Sequence, residues 1–235
     1  MEPSPVRVLI PELTQRPTSV FLHGSNRALL NWVMYALLDR SDPNFRWTDV
    51  RLREEPLDPL DPLARHVVPE SRLSLVEPDE LQRSPDPSAS LSTLVRPDEP
   101  AESIRRTLAF LRLPTHTQDL ISRTSPRDTP AQFGLSNAHR LLAAFPAATV
   151  QPTLRAILDS GVTLVMTWAD AAPAGSRAYD FVLGLEGGGP ADWKDAVLHC
   201  VVGNSEGPVR AGRRLKLGQL GPIVDVLGPM GLSRS

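Results

Sequence analysis

Lysine is nearly absent from this chain. Of its 25 basic residues only Lys194 and Lys216 are lysine, and the other 23 are arginine. Chemistry that needs a lysine amine therefore has no candidate before residue 194. Cysteine is rarer still: Cys200 stands alone. An intrachain disulfide is excluded, and a lone thiol suits a reducing cytosol. No sign of charge dominates, with a formal net charge of −2 and a pI near 6.2, so no global field draws the chain to nucleic acid or to an anionic membrane. Long hydrophobic runs are missing, and the longest falls far short of the ~20 residues of a membrane span. The opening MEPSPVRVLIPEL has no basic region followed by an apolar core, so no signal peptide is expected. A cytoplasmic location without membrane association is the expectation.

What is present suits one domain. The 235 residues are 41% hydrophobic and 22% charged, enough to bury a sizeable core. Residues 6–10 and 19–22 are strand candidates, and residues 28–38 carry a long helical run. Residues 45–53 alternate (Phe45, Trp47 and Asp49 against Arg46, Thr48 and Val50), which predicts a half-exposed edge strand. Between residues 51 and 100 lie nine of the 24 prolines. Proline removes donors and biases its predecessor away from helix, so regular structure there must be short. Residues 72–76 are the one clear strand of that stretch, with a turn of helix at 79–82. Helices are expected at 99–113 and 150–160, and strands at 132–135, 162–168, 179–185, 196–202 and 214–217. A last short helix is expected at 220–227. Strand–helix alternation first and a run of strands last argue for an α/β sheet, parallel in its centre with antiparallel edges.

Two stretches carry a resemblance. One is VFLHGSNRALLNWVMYALL (20–38), a buried strand that ends in a glycine loop and runs straight into an apolar helix. The other is VQPTLRAILDSGVTLVMTWADAAPAGSRAYDFVLGLEG (150–187), a helix, an apolar strand, a variable loop and a further strand. Both resemble RecA-like P-loop ATPases, and among them the KaiC-like branch of the archaeal RecA superfamily. The resemblance covers about two-thirds of the chain. It implies a RecA-like three-layer sandwich over residues 1–235, with a mostly parallel central sheet, antiparallel C-terminal strands and a Pro-rich irregular insertion at about 51–100.

The residues that would make such a domain an ATPase are missing. A phosphate loop has the pattern GxxxxGK followed by Ser or Thr: glycines that let backbone N–H groups close around phosphate, a lysine for the β/γ oxygens and a hydroxyl for Mg²⁺. After Gly24 the chain reads Ser25, Asn26, Arg27, Ala28, Leu29, Leu30, Asn31. Leu29 and Leu30 fall about where the lysine and hydroxyl belong. The acidic residue that would hold the metal's outer shell should end the strand before the 150–160 helix, and Ser136 and Asn137 stand there. Asn137 keeps the shape of an aspartate without its charge. Gly24, Ser25, Asn26 and Arg27 thus mark a degenerate phosphate-loop position, and Ser136 and Asn137 a degenerate metal position.

Other chemistries have candidates too. FLHG is similar to the strand end of an α/β-hydrolase oxyanion hole, whose nucleophile elbow is G-x-S-x-G. The nearest string is Gly134 to Ala138 around Ser136, with His139 or His199 as base and Asp170 or Asp180 as orienter. The simpler assignment makes Ser136 and Asn137 the cap of the helix at 139–144. The histidines at 23, 66, 116, 139 and 199 lack metal-ligand spacing. Arg210, Arg213, Arg214 and Lys216 are the candidates for an anion or nucleic-acid contact, joined by Arg105, Arg106 and Arg112 near the 99–113 helix. The first helix is apolar nearly all round, which means central burial or cover by another subunit. The expectation is a non-catalytic pseudo-ATPase that acts as a binding or regulatory subunit, alone as a homo-oligomer or with a protein partner, without cofactor, metal or catalytic residue. A nucleic-acid-binding accessory protein and a cryptic α/β-hydrolase are the alternatives.

Overall fold

The apolar run after Thr18 becomes the middle of a sheet. The computed structural model describes residues 9–38, 45–52, 55–69, 72–78, 132–144, 163–172, 176, 179–189, 192–203 and 209–230. Eight strands follow in chain order: β1 (Ser19–Gly24), β2 (Arg46–Val50), β3 (Leu73–Val76), β4 (Gln132–Ser136), β5 (Thr163–Ala169), β6 (Phe181–Glu186), β7 (Val197–Val202) and β8 (Arg214–Lys216). They form one sheet in the order β3-β2-β4-β5-β1-β6-β7-β8. The strands from β3 to β6 run parallel, and β7 and β8 continue the sheet antiparallel. The protein is therefore an α/β protein with a mixed, mostly parallel sheet whose antiparallel strands come last.

Strand β1 is buried and apolar, as a central parallel strand must be when both faces are covered. Its start is tied to β6: Asp180 Oδ2 accepts from both the backbone N–H and the hydroxyl of Ser19, each at 2.8 Å. Its end, Gly24, lies against β6 so closely that a Cβ there would meet the Leu185 carbonyl oxygen at 2.5 Å. The glycine is required by strand packing whether or not a ligand comes near.

Four α-helices are described: α1 (Glu12–Gln15), α2 (Arg27–Leu37), α3 (Leu141–Ala144) and α4 (Gly221–Leu227). Helix α2 starts with an Asn26 cap whose side-chain oxygen accepts from Leu29 N at 3.0 Å. Ala28, Leu29, Leu30, Trp32, Val33, Met34 and Leu37 are all buried. Each large apolar side chain removed from water contributes roughly 1.5–3 kcal/mol. Helix α2 lies against the sheet at β1 and β5 on one side and against α4 on another. Its remaining flank is covered by residues 55–69, part of the Pro-rich stretch. That segment has neither helix nor strand, yet Leu63 and Val68 belong to the core. Trp32 Nε1 donates to Leu60 O at 2.7 Å and the Tyr35 hydroxyl to Val67 O at 3.2 Å. Side-chain donors of α2 thus fix an irregular segment in place.

Three expectations are corrected. Strand β2 is an interior strand, held between β3 and β4, with Trp47, Thr48, Asp49 and Val50 buried. Its alternation does not mark exposure, because Thr48 and Asp49 are polar residues with buried partners. Leu9 and Ile10 are buried in a bend before α1 and are not in a strand. Asn137 does not cap the turn that follows it. The expected helices at 99–113 and 150–160 and the helical turn at 79–82 lie outside the described residues, as does most of the strand expected at 6–10. No helix among the described residues is long and apolar enough to cross a membrane.

Candidate functional site

The chain leaves β1 toward β2 on one side and later reaches β6 on the other, so connections diverge around β1. In open α/β sheets the crevice at the carboxyl ends of strands flanking such a reversal is where ligands sit. A polar cleft of about 430 Å³ lies there. Ser25, Asn26 and Arg27 line it from the start of α2, Asp49 and Arg51 from the end of β2, and Asn137 and Arg140 from beyond β4. The segment from Glu55 to Asp61 closes the far wall, and Gly188 completes the rim.

Beneath the cleft runs a continuous chain of buried hydrogen bonds. Trp47 Nε1 donates to Ser136 Oγ at 2.9 Å, and that hydroxyl donates to Asp49 Oδ1 at 2.7 Å. The same carboxylate oxygen accepts from Asn137 Nδ2 at 2.7 Å. The other accepts from Arg51 Nη2 at 3.2 Å. Asn137 is held at φ 59°, a left-handed conformation that asparagine tolerates better than most residues. Its backbone N–H donates to Thr167 Oγ1 at 2.9 Å, and Thr167 donates to Asn31 Oδ1 at 3.1 Å. Asn31 Nδ2 then donates to Asp61 Oδ2 at 2.7 Å, while Leu63 N reaches Asp61 Oδ1 at 2.9 Å. Five separate parts of the chain are joined this way, and each buried polar side chain of this network has a partner.

Electrostatics differ along the cleft. Asp61 is only 5% exposed. Burial pushes its carboxyl up to about 6, opposed by the Leu63 and Asn31 hydrogen bonds and assisted by the charges of Asp49 and Asp58. His139 sits beside the cleft with Nδ1 accepting from Ala169 N at 3.2 Å. Burial first, then the nearby Arg140 and Arg27, lower it to about 4, so it is neutral at pH 7. Glu55 takes one arginine on each oxygen: Arg27 on Oε1, and Arg140 Nη2 on Oε2 at 2.5 Å. Burial works against its ionisation, but the Arg27 hydrogen bond and the charges of Arg140 and Arg27 prevail and hold the carboxyl below its usual range.

Ser25, Asn26 and Arg27 from one of the two stretches singled out in the sequence and Asn137 from the other line this one cleft. Gly24 ends β1, and only Ser25 and Asn26 separate it from α2. Asn26 uses its oxygen for the cap and donates Nδ2 to Gly188 O at 3.3 Å. Leu29 and Leu30 point into the core, each 1% exposed. The basic group lies elsewhere, on the exposed β7–β8 side. There Arg214 pairs with Glu186, and Lys216 Nζ lies 2.9 Å from Asp195 Oδ1. Arg210 and Arg213 are exposed, and their side chains have no acidic partner among the described residues.

The hydrolase constellation does not assemble. Ser136 is fully buried, with its hydroxyl spent between Trp47 and Asp49, and neither histidine bonds to it. Asp180 ties β1 to β6 at the opposite end of the sheet from the cleft. Among the described residues no group of three or more His, Cys, Asp or Glu is arranged to hold a metal ion. Cys200 is buried and its thiol is pushed up to about 11 by that burial, which makes it a poor nucleophile.

Asp49, Arg51, Glu55, Asp61 and Arg140 were missed in the sequence. Asp49 had a signal: an aspartate one residue before the end of the RWTDV strand of an α/β protein lies near the carboxyl edge where sites form. No protein-family model matches the chain, and no curated protein matches it.

Proposed function

We propose that this chain is a RecA-like, KaiC-like domain without an ATPase site, serving as a non-catalytic binding or regulatory subunit through protein–protein contacts. The observation that carries the reading is the junction of β1 and α2. A phosphate loop needs four residues and a second glycine between its first glycine and its lysine, so that the backbone can encircle a phosphate. Here Ser25 and Asn26 are the whole connection, and the Asn26 cap fills the first turn of the helix. Arg27, the one cation at that junction, is held by Glu55. At the metal position Ser136 and Asn137 donate to Asp49 and leave no open carboxylate there. The parallel strands, the cleft at their carboxyl edge and the antiparallel final strands support a RecA-like layout.

Calorimetric titration with ATP and ADP, with and without Mg²⁺, tests the reading. No saturable heat and no thermal stabilisation are expected at millimolar ligand. Mg²⁺-dependent ATP turnover that disappears in Arg27→Ala would overturn it. Sedimentation velocity across a range of concentrations tests the subunit role, for which self-association is the expected outcome. A second reading, nucleic-acid binding, is favoured among the described residues only by exposed Arg210 and Arg213, since Arg214 and Lys216 have acidic partners and Arg105, Arg106 and Arg112 lie outside the described residues. It requires salt-sensitive binding that weakens in Arg210→Ala/Arg213→Ala.

A further inference from the structure

We propose that the cleft is an oxyanion-binding site that the chain keeps closed with its own Glu55. The side chain of Arg140 is only 8% exposed, and a cation buried that far is tenable only with an anion against it. Its position is set independently of that anion, because Nη1 donates to Val50 O at 3.1 Å. Arg27 reaches the other oxygen of the same carboxylate from the start of α2. Two guanidinium groups, one to each oxygen of a single acid, form the arrangement that recognises a carboxylate or a terminal phosphate. The present occupant comes from the irregular segment over α2, 28 residues from Arg27. Glu55 is 25% exposed, so the occupant faces solvent while the buried arginine beneath it does not.

The surroundings define the ligand's class. The cleft, about 430 Å³, is much larger than one carboxylate requires. Asp49 is already matched by Arg51. Asp58 and Asp61 share the cleft without a cationic partner among the described residues, so further negative charge is repelled. The geometry therefore suits an anion with a single charged head, a carboxylate or a phosphate monoester, and disfavours a polyphosphate.

The proposal goes beyond the pseudo-ATPase reading and does not depend on it, because its test uses no nucleotide. Wild type, Glu55→Gln and Glu55→Gln/Arg140→Gln are titrated calorimetrically with inorganic phosphate and, separately, with acetate at constant ionic strength. Removing an internal competitor raises apparent affinity by the reciprocal of the fraction of open sites, so Glu55→Gln should bind at least ~10-fold tighter than wild type. The double variant should lose that binding. Preference for phosphate identifies a phosphate ester as the ligand type, and preference for acetate a carboxylate. Folded Glu55→Gln with no saturable binding of either anion overturns the proposal, and so does binding that survives Arg140→Gln. Tripolyphosphate binding tighter than phosphate overturns the single-head assignment. Should circular dichroism show Glu55→Gln unfolded, Glu55→Asp retains the charge with a shorter reach. An affinity above wild type then supports the proposal, and an unchanged affinity overturns it.

Discussion

Asp61 and His139 carry opposite proton linkages across one pH window. Asp61 holds its proton up to about pH 6 in the folded protein against a reference of 3.8, so stability falls as pH rises between those values. His139 is lowered to about 4 from 6.5, so the unfolded chain binds more protons in that window and stability rises with pH. The two shifts act in opposite directions over nearly the same pH range and largely offset. Relative to wild type, Asp61→Asn should gain stability as pH increases from about 4 to about 6, and His139→Gln should lose it over the same range. Urea unfolding at several pH values measures both, and parallel profiles for the variants and wild type would contradict the assignment. That Ser25, Asn26 and Arg27 line a cleft was legible because they are contiguous and stand between an apolar strand and an apolar helix. The partners of Ser136 were not, since Asp49 lies 87 residues away and nothing local announces the pairing.

At the level of elements, the junction of β1 and α2 carries the sharpest predictions. Asn26→Ala removes the cap on α2 and should cost about 1 kcal/mol, while Asn26→Asp, which keeps the accepting oxygen, should cost less. Gly24→Ala places a methyl group 2.5 Å from the Leu185 carbonyl. Because the obstacle is backbone of a central strand, a loss of about 1–3 kcal/mol is expected. Denaturant midpoints report all three variants. Strands β1, β3, β4, β5, β6, β7 and β8 and helices α2 and α4 were legible from apolar runs bounded by glycine, proline or polar turns. Strand β2 was visible but misplaced. Alternation says where polar side chains alternate, not whether other strands and side chains will cover them, and Thr48 and Asp49 are covered on both counts.

Across the whole molecule, the sheet ends differently at its two margins. At one, β3 is four residues long and Leu75 is 53% exposed. At the other, β8 has three residues, and Arg214 and Lys216 project from it into solvent with acidic partners. Charged side chains on a short last strand discourage the pairing of sheet edges between copies. Arg214→Val/Lys216→Val should therefore raise concentration-dependent light scattering relative to wild type, with little change in the denaturation midpoint.

The buried chain of hydrogen bonds gives the protein an optical consequence. Trp47 has its indole N–H on Ser136, and Ser136 in turn serves the carboxylate in the cleft wall. An indole fixed in that setting is a built-in dye, whose emission registers any rearrangement of Asp49 or its neighbours. Filling or emptying the cleft can then be followed by intrinsic fluorescence without a label, with Trp47→Phe as the blank that identifies the signal.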